Sequence, residues 1–366
     1  MGYELQLFGS SSPSGTVTIL GLTVALLLTA YRMLRAPGRS KLPLPPGPPS
    51  EPILGHYRVV PEDAAFKQYA EWAKEYSTAL SAATELLEKR GSNYADRPRF
   101  VMFEEYTLVP CLPRKHMADV AQDGLVSNPH LASLGSQVPA TDVQSFVHTR
   151  MSIWHENVQK GLPNDFDLED IKGAAATIAI AGNDTTAATL MLLVLYLMQN
   201  PEVQRKAQQE VDRVVGKDRL PAWDDIPNLP YTNLVLQETY RMNPLSPLGI
   251  PHASVADDAY NGMFIPKGTI VYQNVWAMCN DTSVYADPSR FWPERYLPVG
   301  QGGNGEPFPA GNFGFGRRIC IGRNLAENSL LIVLATMLAT VDIDWPVGED
   351  GRPAPFEPEW SFRGQA

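Results

Sequence analysis

The sequence predicts a mainly α-helical protein with a small β subdomain, preceded by a single N-terminal transmembrane helix. Three observations carry that expectation. Apolar residues recur at helical spacing over 167–200, 201–216, 231–242 and the stretch after 322. Turn signals bracket short strand-like runs between 258 and 275. An uncharged, mostly apolar run, TVTILGLTVALLLTAY at 16–31, is followed at once by Arg32, Arg35, Arg39 and Lys41.

Taken in order, residues 1–15 are short and polar and read as a lumenal N-terminus. The apolar run with its flank, 16–34, is slightly short for a spanning helix but within reach if side chains snorkel. A cleaved signal peptide is the alternative; the charges follow the run, which favours an uncleaved anchor. The positive-inside rule then puts everything after Arg32 in the cytoplasm. Residues 35–60 form a basic, Pro-rich hinge around LPLPPGPPSEP. Helical patterns follow at 64–77 and 79–89, then a loop at 94–98. The stretch 99–166 has scattered proline and one short candidate helix near 143–158; Cys111, His116, His148 and His155 lack ligand spacing there.

At Asp167 the pattern sharpens. Asp167 caps a helix with Asp170 three residues on, and Pro201 after Asn200 ends it. Mid-helix stands Ala181-Gly182-Asn183-Asp184-Thr185-Thr186, a polar run ill-suited to a buried Ala/Leu-rich helix, where the helix is expected to open. The plain alternative is a hydroxyl bonding back to its own helix. The next helix, 201–216, has proline first and glycine last and reads as structural. In 231–242, Glu238 and Arg241 share a face at i, i+3, ordinarily a surface ion pair. Tyr260-Asn261-Gly262 reads as a hairpin turn, 266–268 as a second turn, and 269–275 as a strand.

The chain is organised around FGFGRRICIG at 313–322. Its glycines free the backbone to deliver Cys320 to the start of a long apolar helix, where the macrodipole and free N–H groups favour a thiolate. Taken alone, the cysteine would be a small buried hydrophobe. The spacing Phe313, Gly316, Arg318, Cys320, Gly322, however, resembles the haem-ligand loop of the cytochrome P450 family.

That resemblance implies a cytochrome P450-like fold, with Cys320 as axial ligand to the iron of haem b. It also implies Asp184 and Thr185 as an acid–alcohol pair that manages protons, and His252 and Arg318 as partners of the propionates. Glu238, Arg241 and Arg295 (in Phe291-Trp292-Pro293-Glu294-Arg295) resemble the family's buried Glu–Arg–Arg network, which secures the Cys320 loop. Ala181, Leu248 and Ile250 are expected to border the substrate pocket. For His252 the alternative is an ordinary surface histidine.

The match departs from the family's usual pattern around 77–80, within 99–166 and at the C-terminus, so residues 61–366 are expected to form a shortened haem-binding catalytic domain. The implied activity is monooxygenation of an apolar small molecule, in secondary metabolism or detoxification. Electrons would come from NADPH through cytochrome P450 reductase, with cytochrome b5 as a further candidate donor, at the endoplasmic reticulum membrane. Arg317 and Arg323 are candidate docking residues for the reductase. The rival from another class is an inactive relative that binds haem weakly or serves as an interaction protein. A net charge of −10 argues against nucleic acid, and three cysteines form no disulfide framework.

Overall fold

The computed structural model describes residues 42–49, 59–61, 63–76, 83–94 and 145–358. The anchor at 16–34, most of the hinge, the loop residues 95–98, Cys111, His116 and the final residues lie outside them. The chain divides into two compact units. In the described part of the smaller one, β2 (Asp258–Tyr260) pairs antiparallel with β3 (Met263–Ile265), and Phe264 N–H donates to the Pro43 carbonyl at 2.7 Å. Asn261 and Gly262 both take positive φ (49° and 76°), which two-residue hairpin turns require.

The larger unit is helical. It contains α1 (Ala65–Tyr76), α2 (Phe146–Lys160), α3 (Leu168–Gln199), α4 (Pro201–Val215), α5 (Pro230–Met242), α6 (Val275–Cys279) and α7 (Arg323–Thr340). The helix ends follow the sequence chemistry. Asp167 and Asp170 form a reciprocal capping box at the start of α3. Helix α5 has no side-chain cap of its own. Instead the buried Glu210 carboxylate of α4 accepts from Tyr231 N–H and Thr232 N–H, both at 2.8 Å.

The core lies where the C-terminal half of α3 meets α4, α5 and α7, with Leu193, Leu197, Val211, Val235, Leu236 and Leu334 fully buried. Among the described residues α3 is the one helix long and apolar enough to cross a membrane; only 22% of its most apolar window is buried, and its share of the core comes from its C-terminal third. A second sheet pairs β1 (His252–Ala253) with β4 (Ile270–Val271). Gln204 of α4 grips the chain beyond α7: its Nε2 donates to the Ile343 carbonyl at 2.8 Å and its Oε1 accepts from Ile343 N–H at 2.7 Å.

Among the described residues the expected small β portion consists of two two-stranded pairs. Two expectations need correcting. The strand expected over 269–275 stops at Val271, because Asn274 accepts from Ala277 N–H and so starts α6. The described part of the second early helix is a single π-helical stretch, Thr84–Lys89, closed by Arg90 N–H to the Glu85 carbonyl.

Candidate functional site

The loop at 313–322 is tied by its own backbone. Cys320 N–H donates to the Phe313 carbonyl at 2.8 Å, Gly314 N–H to Gly311 at 2.9 Å, and Ile319 N–H to Gly316 at 3.2 Å. Gly316 is required twice over: its φ is +58°, and a Cβ there would lie 2.1 Å from the Leu87 carbonyl oxygen. Phe315 is buried, and Phe313 meets Tyr240 edge-on at 5.5 Å, with the Arg323 guanidinium 5.8 Å above its ring. Gly322 is the N-cap of α7, so the thiol stands two residues ahead of the cap.

Cys320 is exposed, and so are its neighbours Ile319, Ile321 (90%) and Leu325 (72%), together with Arg317 and Arg318. The loop therefore presents a thiol on an apolar face flanked by guanidinium groups. Cys279, by contrast, is buried, and burial pushes its thiol up to about 12, which leaves it an inert part of the core.

Behind the loop, Glu238, Arg241 and Arg295 come together with all three side chains at 0% exposure. Arg241 grips Glu238 bidentately, Nε to Oε2 and Nη2 to Oε1, both at 2.9 Å. Arg295 Nε donates to Glu238 Oε1 at 3.0 Å, and Trp292 N–H to the same oxygen at 2.9 Å. The remaining guanidinium hydrogens reach main-chain carbonyls: Cys279 from Arg241, and Ala286, Asp287 and Arg290 from Arg295. Two members escape a reading of the sequence. Glu306 pairs with Arg295 Nη1 at 2.7 Å, and Tyr296 O–H donates to Glu238 Oε2 at 2.7 Å. Burial, reinforced by the Glu238 charge, pushes the Tyr296 phenol far up, so it stays a donor. Glu306 follows a glycine-rich loop at no helical spacing, so only the folded chain reveals it.

The polar run of α3 differs from expectation. The helix is continuous from Leu168 to Gln199, and the Thr185 hydroxyl donates back to the Ala181 carbonyl at 2.7 Å. The extra bond leaves the helical ladder intact, so no opening forms. Ala181, Asn183, Asp184 and Thr185 are exposed, not buried; Asp184 accepts from Asn183 Nδ2 at 3.2 Å. Helices α3 and α7 pack together through their buried C-terminal portions.

His252 is not a surface residue. It is buried in β1, and its Nδ1 lies 2.7 Å from the Tyr94 carbonyl, which can only accept, so that nitrogen carries the proton. Leu248 and Ile250 part company: the first is buried, the second 64% exposed. Among the described residues no group of three or more His, Cys, Asp and Glu side chains could hold a metal ion.

Comparison with known proteins gives the same direction. The family model Cytochrome P450 matches residues 132–362. Cytochrome P450 monooxygenase 136 of Postia placenta is 44% identical over 202 residues, 54% of this chain and 37% of that protein. Cytochrome P450 monooxygenase COX1 of Coprinopsis cinerea is 46% identical over 186 residues, 50% of this chain and 36% of that protein. These alignments span little more than a third of the relatives' length. Cytochrome P450 monooxygenase 176 of Postia placenta is 31% identical over 462 residues, 89% of this chain and 88% of the relative. That alignment has more positions than this chain's 366 residues, so it crosses stretches of the relative without a counterpart here.

Proposed function

The chain belongs to the cytochrome P450 family, and from that premise we propose that it is a haem-thiolate monooxygenase in which Cys320 is the axial ligand. The observation that carries the reading is the outward-facing thiol at the entrance of α7. A soft sulfur donor suits iron, the exposed Ile319, Ile321 and Leu325 suit the apolar face of a porphyrin, and Arg318 offers a cation for a propionate. The residues fit the group. When bound, haem supplies dioxygen activation and transfer of one oxygen atom to a C–H bond.

The chain's own residues would do the rest. The Gly-rich loop holds the sulfur, and the Glu238 lattice fixes the segments behind it. Asp184 stands on α3 next to Thr185, whose hydroxyl donates to the Ala181 carbonyl and would have to turn from it to pass a proton. His252, whose Nδ1 donates to the Tyr94 carbonyl, is the residue of β1 that would face a propionate. Ile250 and Ala181 offer exposed apolar surface to a small apolar substrate, while Leu248 is buried. Electrons come from NADPH through cytochrome P450 reductase, with cytochrome b5 as a second donor. The 16–34 anchor holds the chain on the endoplasmic reticulum membrane with its domain in the cytosol.

The test is the carbon monoxide difference spectrum of the reduced, haem-supplemented full chain. A thiolate-type Soret band that Cys320→Ser abolishes is the expected result; the same band in the variant would refute the ligand assignment. One observation favours a second reading, an inactive relative: the alignment with Cytochrome P450 monooxygenase 176 crosses stretches that have no counterpart in this chain. Failure of the wild-type chain to retain haem would decide for it.

A further inference from the structure

Among the described residues, three buried side-chain polar atoms lack a hydrogen-bond partner: Tyr240 Oη, Gln273 Oε1 and Asn312 Nδ2. All three border the thiol-bearing loop. Tyr240 meets Phe313 edge-on, Asn312 directly precedes it, and Gln273 lies against Gly314. Native interiors leave few such atoms, and those they leave tend to sit where function needs them.

Gln273 is the most constrained of the three. It is 4% exposed. On one side lies Gly249 (φ +61°), where a Cβ would come within 2.2 Å of Gln273 Nε2 and 2.3 Å of its Cγ. On the other lies Gly314 (φ +78°), where a Cβ would stand 3.8 Å from the same nitrogen. Its carbonyl accepts from Val275 N–H at 2.8 Å, and the side chain of the next residue, Asn274, donates to the Phe66 carbonyl at 2.7 Å. The 245–250 segment is pinned nearby by Trp276 N–H to the Pro247 carbonyl at 3.1 Å.

We propose that Gln273 is a positioning residue for the Cys320 loop: its carboxamide sets the loop's height against the 245–250 segment, and its oxygen accepts a hydrogen bond from an ordered water at the loop. The inference rests on the monooxygenase reading only in assigning a purpose to the loop. A size of side chain alone would fill the gap, so the discriminating variant is Gln273→Met, which keeps the length and removes the amide.

The test compares Gln273→Met with wild type in the full chain by hydrogen exchange at the Gly314 and Cys320 amides, with α5 as internal control. A used amide predicts exchange about tenfold faster at the loop and unchanged in α5. It also predicts that the haem-loaded variant loses part of its thiolate-type carbon monoxide band to a thiol-type band. Loop exchange within about twofold of wild type, with a raised melting temperature, would mean that the amide is an unused polar burden and would overturn the proposal. The exchange arm needs no haem, so failure of the wild-type chain to bind haem defeats the enzyme reading without deciding the role of Gln273.

Discussion

Two regions of this chain carry its unusual side chains, and they treat water in opposite ways. Around Glu238 a carboxylate and two guanidinium groups are withdrawn from solvent, with carbonyls, Glu306 and Tyr296 meeting the hydrogen-bonding capacity that the ion pairs leave over. Around Cys320 the thiol, the isoleucines and the arginines face outward, and the polar atoms that are buried nearby lack partners. The lattice is complete within the described protein and can only be damaged. The loop instead exposes its thiol and its apolar side chains.

The comparison can be broken at its strongest point first. Glu238→Ala strands two buried cations, and the expected loss is at least about 4 kcal/mol, read from urea unfolding of the full chain. A loss below about 1 kcal/mol would mean the lattice is not the keystone claimed here. Leu334→Ala, in the apolar core shared by α3, α4, α5 and α7, should cost less, about 3 kcal/mol by the same measurement.

Acid sharpens the contrast further. Arg219 bonds hold the Asp225 carboxyl down at about 2. Burial pushes Glu306 up, but bonds from Asn304 and Arg295 outweigh it and leave its pKa lowered. A carboxyl whose folded pKa is depressed takes its proton more readily when the chain is unfolded. The stability it contributes is therefore present above about pH 4 and lost as pH falls toward about 2. Urea midpoints should decline through that window, and Asp225→Asn should flatten the decline; equal slopes in both proteins would contradict the assignment. The smallest stability effect belongs to Cys320→Ser, expected within about 0.5 kcal/mol because the side chain is exposed, although the same change should erase the thiolate spectrum.

Much of the architecture is written in local chemistry. Asp167 with Asp170, Pro201 with Gly216, and Asn261 with Gly262 mark element ends through capping and positive φ, and the chain obeys them. The partnership of Glu238, Arg241 and Arg295 came from a motif and not from spacing, since Arg295 lies 57 positions from Glu238. Glu306 and Glu210 left no trace, because the first pairs with the Arg295 guanidinium and the second with the backbone of Tyr231 and Thr232, contacts that no periodicity encodes. The Ala181–Thr185 run misled in the other direction. A polar patch in an apolar helix suggests a break, yet a hydroxyl can bond back to its own turn without disturbing it, and only the coordinates reveal which occurs.

The grip of Gln204 on Ile343 has a mechanical meaning for the far end of α7. A rod clamped at its tail and packed along one side has little freedom to slide or rotate. Under the haem-thiolate reading, any adjustment of the loop would then fall within residues 313–322, which lead into the rod. The glycines there act as the joint, and the compliance of the whole assembly is concentrated at the one atom whose placement matters most.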